Sequence, residues 1–470
     1  MPKGQENIRR QFRALAGPIF VETFLVMLLG AIDILMLSQY SDDKVASAGM
    51  ANQLLSMVFL IYAVTSIGTS VCCSQFFGAG ERRSVMQILG VSVIFNTMLG
   101  AITSAFLYFF SGNLLRAMDL DTSLLPDAVD YMQIVGGFSF LQAVSMTLSA
   151  FLRAANKAYY PMFVTLLINI MNIFGNYALI FGKFGLPEMG VAGAAVSTSV
   201  SRGISLAILL AIVFRHEMKD FTLRCLRPFP WVKLKNVLSI GLPAGGEQLS
   251  YSLSQVTITY FINMLGNDAL TARTYVVNIV MFSYLFSTAI GMGGAICIGR
   301  LVGRGKKNGA YYLGLYCLKL SLLCTIAISS LTAVFGRGIM ELLTSNPEII
   351  RMGATILIVD IGVEIGRAVN IFGGASLRAT GDARYPFVVG LIFMWSVATA
   401  MSYVFGIVMG LGIIGMWTAF LLDENIRAVI LVRRWTSKKW KSKGFIRDGK
   451  PFKSRYEPSD SSETVAPGAD

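Results

Sequence analysis

The residues able to do chemistry in this chain are carboxylates, amides and arginines set inside long apolar runs. Asp33 stands in Gly30-Ala-Ile-Asp-Ile-Leu-Met36, with no basic residue within one helical turn. An ionisable group at membrane depth costs about 2.5–3.5 kcal/mol on insertion scales, so each one asks for a partner or a function. A carboxylate kept from water and from counter-charges can take up and release a proton, which suits ion coupling. The competing reading is a carboxylate that faces a water-filled vestibule and stays ionised. Asn169, Asn172 and Asn176 follow later, the last two at the i, i+4 spacing of one helix face; amides so placed hold helices together or orient a coupling carboxylate. Glu22 and Glu247 each come four residues after a proline that reads as a helix start, and Tyr251 lies one turn beyond Glu247. Asp360, Glu364 and Arg367 share a face at i, i+4 and i+7. They form either a self-compensating ion cluster or a polar strip along a cavity. Asp423 and Arg427 make an i, i+4 pair, read as structural, and Arg202, Lys319 and Glu424 complete the set of ionisable groups inside spans.

The elements that position these groups are membrane spans. Of 470 residues, 54% are hydrophobic and only 14% charged, against roughly 25% charged in soluble domains. Twelve apolar runs, from Ala14–Ser38 to Gly412–Trp435, approach or exceed the length that crosses a bilayer. Alternate connectors are basic, among them Arg82-Arg83, Arg153–Lys157, Arg215–Lys235 and Arg378–Arg384. The others are short and acidic or neutral, so the basic set and both termini are expected in the cytoplasm of a cell (inner or plasma) membrane. The net charge of +13 is spread over these connectors and forms no continuous basic face, which argues against nucleic acid. The first run carries no cleavage pattern and reads as a retained span. Six cysteines without a C-x-x-C pair and a single histidine, His216, leave no metal site and no Ser–His chemistry in view. No enzyme activity and no cofactor is expected.

One offset organises the whole chain. Pro18, Glu22, Asp43, Cys72, Gly78 and Gly80 recur 225 residues later as Pro243, Glu247, Asp268, Cys297, Gly303 and Gly305. Leu152-Arg153-Ala154, Tyr160-Pro161 and Arg202 recur as Leu377-Arg378-Ala379, Tyr385-Pro386 and Arg427. The chain thus reads as an all-α polytopic membrane protein of two pseudo-symmetric six-helix bundles in parallel repeat. Residues 1–13 form a cytoplasmic segment, 14–223 the first bundle, 224–235 a linker, 236–436 the second bundle, and 437–470 a cytoplasmic tail expected to be disordered.

These residues resemble the multidrug and toxic compound extrusion (MATE) transporters. The likeness runs from about Phe12 to Trp435. It rests on the Asp33 motif, Gly78-Ala-Gly80, Leu152-Arg-Ala with Pro161, Asn172-Ile-Phe-Gly-Asn-Tyr-Ala through Gly190, and Gly193-Ala-Ala-Val-Ser-Thr198. The resemblance implies two bundles enclosing a V-shaped cavity and efflux of cationic or amphiphilic small molecules in exchange for protons or sodium. It further implies that Asp33 is the first-span coupling aspartate, with Asn172, Asn176 and Thr198 in the polar network around it. Asn176 stands where some members carry a second aspartate. In the second bundle the family's seventh-span glutamate aligns near Tyr251 and its tenth-span carboxylate near Arg367, so Glu247 and Glu364 would have to substitute from neighbouring turns. A monomer in the bilayer is expected. The alternative is a lipid-linked saccharide flippase or other lipid flippase of related architecture. Its cavity would carry more arginine or lysine, whereas the carboxylates in these spans outnumber the basic groups. A major-facilitator carrier and an intramembrane enzyme fit less well, for want of their motifs.

Overall fold

The computed structural model describes residues 3–118, 120–218, 223–447 and 450–451. The first half contains α1 (Lys3–Ser38), α2 (Asp42–Ala79), α3 (Arg82–Arg116), α4 (Leu125–Tyr131), α5 (Ser139–Ala154), α6 (Tyr159–Ile180) and α7 (Gly190–His216). The second contains α8 (Trp231–Asn263), α9 (Asn267–Gly303), α10 (Lys307–Val334), the short α11 (Gly336–Leu343), α12 (Pro347–Ala379), α13 (Arg384–Phe393), α14 (Ala400–Tyr403) and α15 (Gly412–Thr436). Among the described residues eight helices are long and apolar enough to cross a membrane, and α4 with α5 makes a ninth, bent by 45°. The π-helical Met132–Gly136 lies between them, a register slip of the kind that kinks helices. Three more helices, α8, α12 and α15, are as long but more polar, α12 and α15 carrying buried charges. Among the described residues the count is twelve, six to a half.

Several boundaries differ from the expected ones. The first helix starts at Lys3, so residues 3–13 belong to it, and Phe12 is buried at 1% exposure. Pro18 and Pro243 therefore sit inside α1 and α8 and do not begin them. Trp231 opens α8, which takes residues 231–235 out of the linker. Past α15 the chain folds back: Trp440 stacks on Trp435 at 4.5 Å, and Ile446 is buried in a cluster that includes Cys72 and Phe76. The expected disorder does not hold for residues 439–446; residues 452–470 lie outside the described residues.

The halves join at the end bearing the basic connectors, and they do so reciprocally. Gln75 donates its side-chain N–H to the Ala379 carbonyl (2.7 Å), while Arg300, its mate at the 225-residue offset, donates to the Ala154 carbonyl (3.0 and 2.7 Å). Gly78 and Gly303 allow this approach, because a Cβ on either would overlap the carbonyl oxygen of Arg300 or Gln75 across the interface. Gly80 (φ 80°) and Gly305 (φ 73°) then turn the chain left-handed at the same places in both repeats. Phe12 packs in the core of the second half and Val237, its mate, in that of the first. Toward the acidic end this contact lapses. Met57 and Ile61 continue the α2 face that meets α8 at Val64 and Gly68, yet they are exposed, as are Leu249, Leu253 and Val256 on the facing side of α8. The halves therefore diverge away from the basic end. Outward-facing Met98, Ile102, Phe106 and Phe109 on α3 belong to an apolar belt such as lipid would cover.

Candidate functional site

Three helices of the first half bring the sequence-selected polar residues together. α1 presents Asp33, α6 presents Asn172 and Asn176, and α7 presents Thr198. Asn176 Nδ2 donates to Asp33 Oδ1 (2.7 Å) and to Asn172 Oδ1 (3.0 Å), and Asn172 Nδ2 donates to Thr198 Oγ1 (3.2 Å). Asn172 and Asn176 are fully buried, whereas Asp33 and Thr198 are half-buried. Asn169, one turn below, donates to the Leu25 carbonyl (2.7 Å) and so fastens α6 to α1. Asp33 makes no salt bridge among the described residues; its charge interacts with Arg202, whose guanidinium lies over the Phe59 ring at 5.0 Å. Just past α1, at the acidic end, Tyr40 donates to Glu188 (2.8 Å), which holds its phenol above the ordinary range.

A cavity of about 590 Å³ is walled mainly by α1, α2, α5, α6 and α7 and closed by α9 and α12 of the other half; Asn169 and Arg202 line it, whereas Asp33, Asn172, Asn176 and Thr198 do not. Seryl and amide side chains line it with methionine and aliphatic ones. Its charged members are Glu22, Arg153, Arg202 and Arg378. The expectation that carboxylates outnumber basic groups at depth is reversed here. Arg153 and Arg378, read from sequence as connector charges, turn back into the cavity. Arg153 pairs with Glu22 (2.7 Å) and Arg378 with Glu247 (2.8 Å), two ion pairs related by the 225-residue offset. Sequence reasoning missed both pairings, although the joint recurrence of each arginine with its glutamate was the signal.

The second-half candidates form a separate cluster. Glu364 and Arg367 make an ion pair within α12, and Trp417 donates to Asp360 (3.0 Å). Arg427 binds Asp423 (2.6 Å) and Glu424 (2.9 Å), with Arg367 3.8 Å from Glu424. Asn370 Nδ2 donates to the Glu424 carboxylate (2.6 Å), and Tyr251 sits half-buried in α8. Glu247 is not part of this set, being bound to Arg378. Asp360, Glu364 and Arg367 do not line the cavity just described. Asn370 and Trp417 join the cluster without having been singled out from the sequence, and Glu424, noted there only as an ionisable group inside a span, proves to be bound by Arg427. Among the described residues no group of three or more His, Cys, Asp or Glu is placed to hold a metal ion.

Among the described residues, twelve membrane-length helices in two repeated halves, joined at one end and enclosing a cavity of mixed polar and apolar lining, define a multi-pass membrane transport protein. The MatE family model matches residues 18–178 and again 243–404, one match per repeat, and the chain belongs to that family. It is 40% identical over 431 residues to "Uncharacterized transporter YisQ" of Bacillus subtilis (strain 168), spanning 92% of this chain and 95% of that one. It is 29% identical over 450 residues to "Probable multidrug resistance protein NorM" of Thermotoga maritima, spanning 95% and 96%. The fold matches a crystal structure of "MATE in the bent conformation" with a TM-score of 0.85 at 18% identity, covering 93% of this chain and 99% of the other.

Proposed function

We propose that this MATE-family transporter expels small amphiphilic molecules, cationic ones among them, in exchange for protons or sodium by alternating access. Asp33 binds the coupling ion, and Asn172, Asn176 and Thr198 hold and polarise its carboxylate. The observation that carries this reading is that Asp33, half-buried in its helix, is tethered by an amide hydrogen bond and, among the described residues, by no ion pair. A carboxylate so held can lose and regain its charge without breaking a salt bridge. The divergence of the halves away from the basic end supports one access state of a rocking pair. The name of the NorM relative supports drug-like cargo. The exchange uses the coupling ion, proton or sodium, and no cofactor; the protein works as a monomer in the cell membrane, with both termini in the cytoplasm.

The second-half cluster is assigned to structure, not to a second cation site. Each of its guanidiniums is bracketed by carboxylates, and Asp360 is tied down by Trp417. A flippase of pyrophosphate-linked cargo is disfavoured because two of the cavity's three arginines are already neutralised by glutamates.

The deciding experiment uses proteoliposomes with proton and sodium gradients imposed separately. Asp33→Asn should abolish ethidium efflux under whichever gradient drives the wild type, at unchanged expression. Undiminished efflux in that variant would remove Asp33 from the mechanism.

A further inference from the structure

We infer that the outward face of α10 holds an anionic phospholipid of the leaflet at the basic end, with Lys319 and Arg9 taking its headgroup phosphate. None of the residues concerned lines the cavity.

Lys319 is an exposed cation on the lipid side of a membrane span. α10 turns Leu313, Cys317, Ser321 and Thr325 inward, where they are buried. On its other face Tyr312 (61% exposed), Lys319, Leu323 (57%) and Ile326 follow at helical spacing. Lys319 stands about 18 Å along the helix from Lys307, which carries its Cα into a hydrocarbon layer about 30 Å thick. Among the described residues it makes no hydrogen bond or salt bridge, and α10 contains no acid along its length. The fold does not ask for this charge. At the repeat offset α3 carries Ile94, a 37%-exposed aliphatic residue of the kind lipid accepts. A lysine there is costly unless its ammonium reaches an anion or water.

Water alone would satisfy one snorkelling lysine; the surroundings supply more than that. Helical side chains lean toward the helix N-terminus, which in α10 is the basic end, so the lysyl stem runs toward the turn of Tyr316. Arg9 of α1 lies over that tyrosine's ring at 4.4 Å, and Phe12 meets the ring edge-on. Two cations from two helices therefore converge on one aromatic step. Further out, Lys441 donates to Asn308 (2.6 Å) and Lys438 lies over Tyr311 at 5.0 Å. Cations thus stand at the rim, tyrosines at interfacial depth, and Leu323 and Ile326 where acyl chains lie. That is the polarity profile of an anionic phospholipid, and lysine and arginine clusters beside a span attract such lipids. A zwitterionic lipid brings its own cation to the same groups and is held less tightly. Arg9 belongs to the first half and Lys319 to the second, so the bound headgroup fastens the two at their closed end.

The test titrates full-length protein, stripped of lipid in detergent, with phosphatidylglycerol or phosphatidylcholine carrying pyrene on one acyl chain. Binding is read from quenching of the protein's tryptophan fluorescence. Wild type should bind phosphatidylglycerol more tightly. Lys319→Ile, which installs the residue of the first half, should weaken phosphatidylglycerol about tenfold and leave phosphatidylcholine unchanged, as for losing one charged hydrogen bond. Arg9→Gln should do the same, and Lys319→Arg should keep the preference. Arg83→Gln removes a charge from a connector of the first half and should alter neither lipid. An equal loss in Arg83→Gln would reduce the effect to net charge and overturn the proposal. An unaltered preference in Lys319→Ile, or equal loss of both lipids there and in Arg9→Gln, would overturn it too. Displacement by excess soluble glycerol phosphate would count against a lipid, since the site needs the acyl chains. A later elution of Lys319→Ile than of wild type in size-exclusion chromatography would give the stripe to a second copy of the chain instead. No gradient enters the measurement, so it stands whatever Asp33→Asn does to efflux.

Discussion

Arg153 and Arg378 carry charge that serves two ends at once. Each stands in the last turn or two of a helix, where a basic residue marks the cytoplasmic side, and each reaches inward to a glutamate two helices or more away in the fold. The Glu22–Arg153 pair keeps only 13–14% side-chain exposure. Its loss should fall between an exposed pair and a fully buried one, on the order of 2 kcal/mol. Glu22→Gln is therefore expected to lower the melting temperature in detergent. The double variant Glu22→Gln/Arg153→Met should regain most of it, because the lone buried charge is gone. At Glu364, 1% exposed and paired with Arg367, the cost is higher. Arg367→Met should destabilise by about 3–5 kcal/mol, and sodium should not raise the wild-type melting temperature if the cluster is structural. A sodium-dependent rise abolished in Glu364→Gln would restore a second cation site. The contact of Asp33 with Asn176 was foreseeable from residue types at helical spacing. Arg153 was not, because a charge at a span's end reads first as topology and its partner lies 131 residues away.

At the scale of elements, the repeat made the order and number of helices legible, but not their ends. Pro18 looked like a helix start because prolines favour first turns; the helix runs through it since Phe12, Leu15 and Ile19 find buried sites in the opposite half, and tertiary packing outweighs the missing hydrogen bond. The same reciprocity builds the closed end. Gln75 and Arg300 each clasp a backbone carbonyl of the other half, directly after the inward-turning arginines, over contacts that only glycine at 78 and 303 permits. Gly303→Ala should force these backbones apart and shift the protein toward a state open at the basic end. Spin labels at Arg83 and Asn308, in a background freed of native cysteines, would report this by double electron–electron resonance as a longer mean distance. An unchanged distribution would mean that the clasp follows closure and does not set it. Arg300→Ala should act in the same direction but less strongly, losing hydrogen bonds without adding a clash.

The whole molecule is two copies of one plan that have diverged in their polar interiors. Asp33, Asn172 and Asn176 correspond to Ile258, Val397 and Met401 at the repeat offset, while Asp360 and Glu364 correspond to Val135 and Ser139. Shared apolar and glycine positions therefore preserve the bundle, and unshared polar ones divide the tasks. A sequence displays the division but not the contacts made after the last helix, since nothing periodic announces them. Residues 439–446 leave the second half, bury Trp440 against Trp435, and deliver Ile446 to the first-half cluster and the Phe445 N–H to Gln75 Oε1 (3.0 Å). Gln75 is thereby held by the strap on one side while it clasps Ala379 on the other. A link of this kind lowers the free energy of the closed basic end only, because it can span the halves only when they meet there. Burial of one isoleucine is worth about 1.5–3 kcal/mol, enough to bias a rocking equilibrium roughly tenfold or more. Ending the chain after Ser437 should therefore populate the state open at the basic end and change the maximal efflux rate, with folding intact. Ile446→Ala should do the same in milder form. If both variants transport and label like the wild type, the strap is packing without influence on the cycle.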